Sequence, residues 1–308
     1  MKKSYIYAGI TILIWSSMAP VVKTLIGAIP NLEALAAGSF FAALFLFARN
    51  VLKGNLRIMK TIPAGHYAVM AGMGFVGIFS YSFLYYFGLD NLPVQVACIL
   101  NYLWPIMLVV FSCILGLERF TGRKALALLL SFAGVIVVMA GGAAPAGKKA
   151  LLGMGACILA SICYGSFSAY NKKRNFDQNI SMMVFWGTTF LCSVLASLLT
   201  ENWVPLKSVE LAGFVWIGLV TDATGYLLWA LAIKNASDTA ILANLVYFVP
   251  FLSTIFSALF LHEKIHAASI FALLLLVAGV IVDSVKPKGG KERNAQGEAG
   301  AERVNGTV

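Results

Sequence analysis

The chain has 308 residues, of which 60% are hydrophobic and 12% charged, with a formal net charge of +10. Soluble domains carry about 25% charged residues, so this composition excludes a soluble globular enzyme. The excess of positive charge points to nucleic acid only if it is clustered, and here it is spread over the ends of apolar runs.

A bilayer-spanning helix needs about 20 apolar residues, and ten such runs follow one another along the chain. The first, Tyr5 to Leu25, begins behind Lys2 and Lys3 as a secretory signal would. It is too long for a signal core and lacks a small-x-small exit, so it is expected to remain in place. It carries Trp15 and Pro20 and ends near Lys23, expected to snorkel to the interface. Leu32 to Val51 is the second. The third, His66 to Phe87, holds Tyr81 and Tyr85 on one helical face. The fourth, Pro93 to Leu117, contains Asn101-Tyr102-Leu103-Trp104-Pro105. On a continuous helix Asn101, Trp104 and Pro105 share a face. A proline there removes a backbone donor, which lipid tolerates only beside protein or a water-filled cavity. Lys124 to Ala140 is the fifth.

The Gly/Pro/Ala stretch after Ala140 reads as a linker. Leu151 to Tyr170, with Tyr164, and Met182 to Leu199 follow it. The eighth run, Val209 to Ile233, holds Asp222, Tyr226 and Trp229. The ninth, Thr239 to Leu261, holds Tyr247, Phe248 and Pro250, and Ala267 to Val285 is the tenth. The expected division is residues 1–141 and 151–285 as two five-helix units, 142–150 as linker, and 286–308 as a polar, disordered cytoplasmic tail.

With the N-terminus in the cytoplasm and ten spans, 18 of the 23 Lys and Arg residues fall on the cytoplasmic side. The positive-inside rule therefore places both termini in the cytoplasm and the chain in the cell membrane. The expected partners are lipid and a small-molecule substrate, without nucleic acid, and the expected state is a monomer or weak dimer. The five cysteines all lie in apolar runs and read as packing residues. Neither they nor His262 and His266, which flank Glu263, make a metal site, and no cofactor is expected.

An offset of 145 residues aligns Leu100 to Val137 with Leu245 to Val282, giving 15 identities over 38 positions without a gap. Tyr102, Pro105 and Glu118 fall on Tyr247, Pro250 and Glu263. Five helices per half force the second half to enter the membrane from the opposite side. Inverted repeats are characteristic of secondary transporters, with substrate held near the midplane between the halves.

Several motifs resemble the drug/metabolite transporter superfamily in its ten-helix EamA-type branch. They are Trp15-Ser16-Ser17 with Pro20 and Lys23, the paired units Pro105 to Glu118 and Pro250 to Glu263, and Gly225-Tyr226-Leu227-Leu228-Trp229. Asn101 to Pro105 and Tyr247-Phe248 before Pro250 are similar to the YddG-like aromatic amino-acid exporters of that superfamily. The resemblance implies an all-α basket of ten helices in two inverted repeats, with a central cavity lined by helices 1, 3, 4, 6, 8 and 9. It also implies export of amino acids, aromatic or otherwise hydrophobic, by alternating access; the alternative is a permease for another metabolite or a drug cation. Asp222 departs from the group, where a small apolar residue is expected.

The expected cavity set is Trp15, Tyr81, Tyr85, Asn101, Trp104, Tyr164, Asp222, Tyr226, Trp229, Tyr247 and Phe248. Pro20, Pro105 and Pro250 are the expected helix-kink or gating positions. Asp222 is the one acid deep in an apolar run. An acid at such depth is costly and usually marks an ion, proton or substrate path, so it is a candidate ammonium partner or proton carrier. Membrane enzymes cluster acids or histidines, and nothing of that kind occurs here.

Overall fold

The structure is a computed structural model that describes residues 2–117, 119–143, 145–174, 176–234, 245–246 and 248–284. The tail from residue 286 lies outside them, as do Glu118, Asn244 and Tyr247. Eight helices are long and apolar enough to cross a bilayer, and two shorter apolar helices bring the described total to ten. The spans are α1 (Lys2–Ile26), α2 (Asn31–Leu52), α3 (Ala64–Asn91), α4 (Val94–Ile114) and α5 (Gly122–Ala140). After the inter-repeat loop come α6 (Lys148–Arg174) and α7 (Gln178–Thr200). Next is α8, in three consecutive segments (Ser208–Val215, Trp216–Gly225, Tyr226–Lys234), then α9 (Phe248–Phe260) and α10 (Ala267–Ser284). Helix α6 begins at Lys148, three residues inside the stretch expected as linker.

Local chemistry sets several of these ends. Pro30, Pro63 and Pro93 immediately precede α2, α3 and α4, where a fixed φ favours helix entry and the missing N–H costs nothing. Asp177 caps α7, its carboxylate accepting from the Asn179 and Ile180 amides at 2.9 and 3.0 Å, the usual work of an N-cap acid.

The packing repeats itself about a two-fold axis. Helix α2 pairs with α7 and α5 with α10; α3 lies on α6 as α8 lies on α1, and α4 lies on α6 as α9 lies on α1. The closest evidence is a reciprocal contact between α5 and α10. A Cβ on Gly134 would lie 3.0 Å from the Ala272 carbonyl oxygen, and one on Gly279 would lie 2.8 Å from that of Ala127. Gly279 and Ala272 are Gly134 and Ala127 displaced by the same 145 residues. Small residues let membrane helices approach this closely.

The two halves run in opposite senses. The Glu201 carboxylate, just past the end of α7, accepts from the Leu32 and Glu33 amides that open α2, both at 2.9 Å. Glu263, just past the end of α9, accepts from the Val94 amide that opens α4, at 2.9 and 3.0 Å. Hence α2 is antiparallel to α7 and α4 to α9, as inversion requires. We call the side holding the N-terminus, with the ends of α2, α4 and α6, face A, and the other face B.

Two of these helices are not regular. Residues Phe75–Ser80 of α3 and Trp216–Gly225 of α8 are π-helical, and the 145-residue offset lays the first on Val220–Gly225, the second part of the other. Such wide turns occur mostly at functional sites. Helix α4 is broken: its first segment ends at Asn101, Tyr102 and Leu103 form a turn, and helix resumes at Trp104. Pro105 accounts for the break, since without an N–H it cannot bond the Asn101 carbonyl. The expected continuous helix is therefore corrected to two segments joined by a turn, although Asn101, Trp104 and Pro105 still line one cavity.

Candidate functional site

A cavity of about 570 Å³ lies between the halves. Its inner end is made by the broken and π-helical segments. Asn101, Tyr102, Trp104 and Pro105 come from α4, Tyr81 and Tyr85 from α3, and Asp222, Tyr226 and Trp229 from α8. Trp15 from α1 and Tyr164 from α6 complete that end. From there it passes Ser168, Asn171 and Lys172 toward the face-A end of α6. All six expected helices supply lining side chains, α9 contributing Val249 and Ser253, with Val246 just before it.

The aromatic residues form a continuous belt. Trp15 meets Tyr226 edge-on at 5.2 Å between centroids and Trp229 at 5.7 Å. Tyr226 and Tyr164 share a hydrogen bond between their hydroxyls at 3.1 Å. Tyr164 then contacts Tyr81 at 4.8 Å and Trp104 at 5.1 Å, the latter edge-on, and Tyr85 stacks on Tyr81 at 6.1 Å. Offset and edge-on rings of this kind present both π-faces and hydroxyls to a guest.

Irregular backbone within the bilayer needs substitutes for its lost partners. Pro20, inside α1, deprives the Ser16 carbonyl of its helical donor, and Ser253 Oγ of α9 donates to that carbonyl at 2.8 Å. Trp15 Nε1 donates to the Thr221 carbonyl in the π-segment of α8 at 3.1 Å. These bonds tie α1 to α8 and α9.

Asn101 is 3% exposed and Asp222 is 4% exposed. Asn101 Nδ2 donates to the Tyr81 hydroxyl at 3.3 Å, while its Oδ1 has no partner among the described residues. One Asp222 oxygen accepts from Thr221 Oγ1 at 3.3 Å.

At face B several side chains are bound to helix ends. Besides the bonds that Glu201 and Glu263 make to α2 and α4, Ser257 Oγ donates to Glu263 at 2.5 Å and Ser197 Oγ to Glu201 at 2.8 Å. The Val204 amide donates to Glu33 at 3.1 Å. Lys23 Nζ donates to the carbonyls of Leu89, Asp90 and Leu92, where α3 ends. Cations stabilise that negative end of a helix and carboxylates the positive one. Lys23 is thus a cap between helices rather than a snorkelling residue.

The remaining expectations divide. Phe248 is 57% exposed and absent from the cavity wall. Pro250 follows it by two residues, and the segment enters α9 with Val246 and Val249 facing inward and Phe248 turned out. Pro250 is buried beside the cavity, and Pro20 lines a separate apolar groove with Trp216 and Phe256. Cys98, Ser253, Met182 and Trp186 line the cavity and were not expected. The last two bring in α7. Small or apolar residues in an apolar run carry no signal that separates cavity from packing. The five cysteines are unpaired, and no group of three metal-ligating side chains occurs among the described residues.

A profile of the EamA-like transporter family matches residues 2–140 and 151–284. The chain belongs to this family. It is a multi-pass membrane protein of the drug/metabolite transporter superfamily. Among its relatives, the aromatic amino acid exporter YddG of Ancylobacter novellus is 26% identical over 68% of this chain and 73% of that protein. An uncharacterized transporter of Bacillus subtilis, YvbV, is 22% identical over 80% of this chain and 84% of its own. A probable terminal-alkyne amino-acid exporter of Streptantibioticus cattleyicolor is 23% identical over 70% and 72%. A crystallographically solved chain has the same fold, with a TM-score of 0.67 and 22% identity over 92% of this chain and 96% of that one.

Proposed function

We propose that this EamA-family transporter exports amino acids with planar or otherwise hydrophobic side chains from the cytoplasm by alternating access. The observation that carries this is the aromatic belt between the inverted halves, with the Asn101 amide set into it. Rings stack on a planar side chain, and an amide can both donate to a carboxylate and accept from an ammonium. Two relatives named as amino-acid exporters support the same reading.

Face A is the cytoplasmic side, by the distribution of basic residues, so both termini are cytoplasmic. The conformation is then open inward and sealed outward by the capped helix ends of face B. Residues 1–141 and 151–285 act as the two rocking units.

The test is counterflow in liposomes holding the full chain, with labelled phenylalanine, tyrosine, tryptophan and leucine. Uptake above protein-free liposomes is expected, strongest for the aromatic three. No flux for any of the four refutes amino-acid export. A Trp104→Ala protein that carries the aromatic three unchanged refutes the role of the belt.

A further inference from the structure

Asp222 is the cavity's one acidic side chain, and among the described residues no Lys, Arg or His pairs with it. An uncompensated buried carboxylate is strongly unfavourable, so the fold retains it at a cost. The repeat shows where the cost arises. Asp222 falls on Gly77 at the 145-residue offset. In the first half that place is filled: a Cβ on Gly77 would fall within the Phe167 ring. The halves thus share the π-turn and differ in chemistry at this position. The same holds for Asn101, whose repeat partner is Val246.

The inner end of the cavity therefore holds two oxygen acceptors with spare capacity, the Asp222 carboxylate and Asn101 Oδ1, and a further one, Asn171 Oδ1, lies toward face A. The first two line the cavity together with Trp15, Tyr81 and Tyr226, and Asn101 is bonded to the Tyr81 hydroxyl. A guest that satisfies them must bring several N–H donors and positive charge. An ammonium has three donors, and the electron-rich faces of aromatic rings attract it further. A hydroxyl matches the donor need without the charge, and a carboxylate is repelled.

We propose that Asp222 and Asn101 Oδ1 form a subsite for a protonated primary amine, so that the ammonium group fixes the solute and its carboxylate is dispensable. This rests on the export reading above and narrows it, since amines carried on a planar body become substrates alongside amino acids.

The probes are phenylalanine, phenethylamine and phenylpropanoate, which share one ring and carry both charges, the ammonium alone and the carboxylate alone. Equilibrium binding to the full chain in detergent is expected to be comparable for the first two and at least about tenfold weaker for the third. Asp222→Asn is expected to weaken the two amines by at least about tenfold and not to weaken phenylpropanoate, which is relieved of a repelling charge. Asp222→Glu restores the preference, and Asn101→Leu weakens the amines alone. That pair decides the matter should Asp222→Asn fail to fold, as judged by its elution profile and melting. Equal binding of phenylpropanoate, equal losses for all three probes, or no binding of either amine overturns the subsite. If phenethylamine binds through Asp222 while phenylalanine shows no counterflow, the subsite stands and amino-acid export falls.

Discussion

On the proposed inward-open reading, the carboxylates bound to helix ends seal face B, and Glu263 is the member that can be loosened most cleanly. Its two oxygens accept from the Val94 amide at 3.0 and 2.9 Å and from Ser257 Oγ at 2.5 Å. Glu263→Gln keeps the shape and one acceptor oxygen but removes the charge. Hydrogen bonds to a charged group contribute about 1.5–3 kcal/mol against about 0.5–1.5 for neutral ones. With two donors affected and the loop partly open to solvent, the loss is about 1–2 kcal/mol, or about 5- to 30-fold in the balance between sealed and unsealed states. The chain carries its own reporter. Cys98 lines the cavity one turn before Asn101 and is buried from face B. With the other four cysteines replaced by alanine, a membrane-impermeant thiol reagent applied from face B should label Cys98 faster in Glu263→Gln by that factor. A labelling rate equal to that of the parent, in a variant that still transports, would refute the view that helix capping holds this face shut.

Gly279→Val should lower the melting temperature in detergent, since its added atoms meet the Ala127 carbonyl and overpacking costs about 1–3 kcal/mol; an unchanged melting curve contradicts the close α5–α10 contact. Ser253→Ala removes the donor that answers the Ser16 carbonyl and should destabilise the fold by about 1–3 kcal/mol, with Ser253→Thr largely sparing it. Trp104→Ala should lower transport of aromatic substrates several-fold more than that of leucine, because only a planar side chain loses ring contacts; counterflow with the two labelled substrates compares them directly.

The fold was legible because a membrane simplifies the code. Ten apolar runs and a 145-residue repeat carry the helix number and the inversion, and the aromatic residues of α1, α3, α4, α6 and α8 meet where the resemblance implied. Composition does not report backbone phase. The π-turns of α3 and α8 involve ordinary apolar and small residues, and nothing in Phe75 to Ser80 distinguishes a wide turn from a regular one. The break at Tyr102 and Leu103 was half visible, since Pro105 announced a disturbance but not how far it would separate Asn101 from Trp104. Phe248 was misplaced for a similar reason. Aromatic type alone does not say which way a residue points at the entry to a proline-containing helix. Lys23 was taken for an interface residue, and Glu263 stood out only through the repeat, because their partners are backbone groups of distant helices, which no side-chain pattern reveals.

The reciprocal contact of Gly134 with Ala272 and Gly279 with Ala127 has a consequence for the transport cycle. When inverted repeats exchange conformations, each half takes up the arrangement the other has left. Across the α5–α10 crossing that exchange turns one glycine approach into its image, where an added Cβ would meet a carbonyl at 3.0 Å on one side and 2.8 Å on the other. On the proposed alternating-access cycle, a crossing that is its own image can serve as the fixed axle. A change there weakens the whole protein without favouring either direction. Direction must come from positions that have no image, and Asp222 opposite Gly77 is the most polar of them.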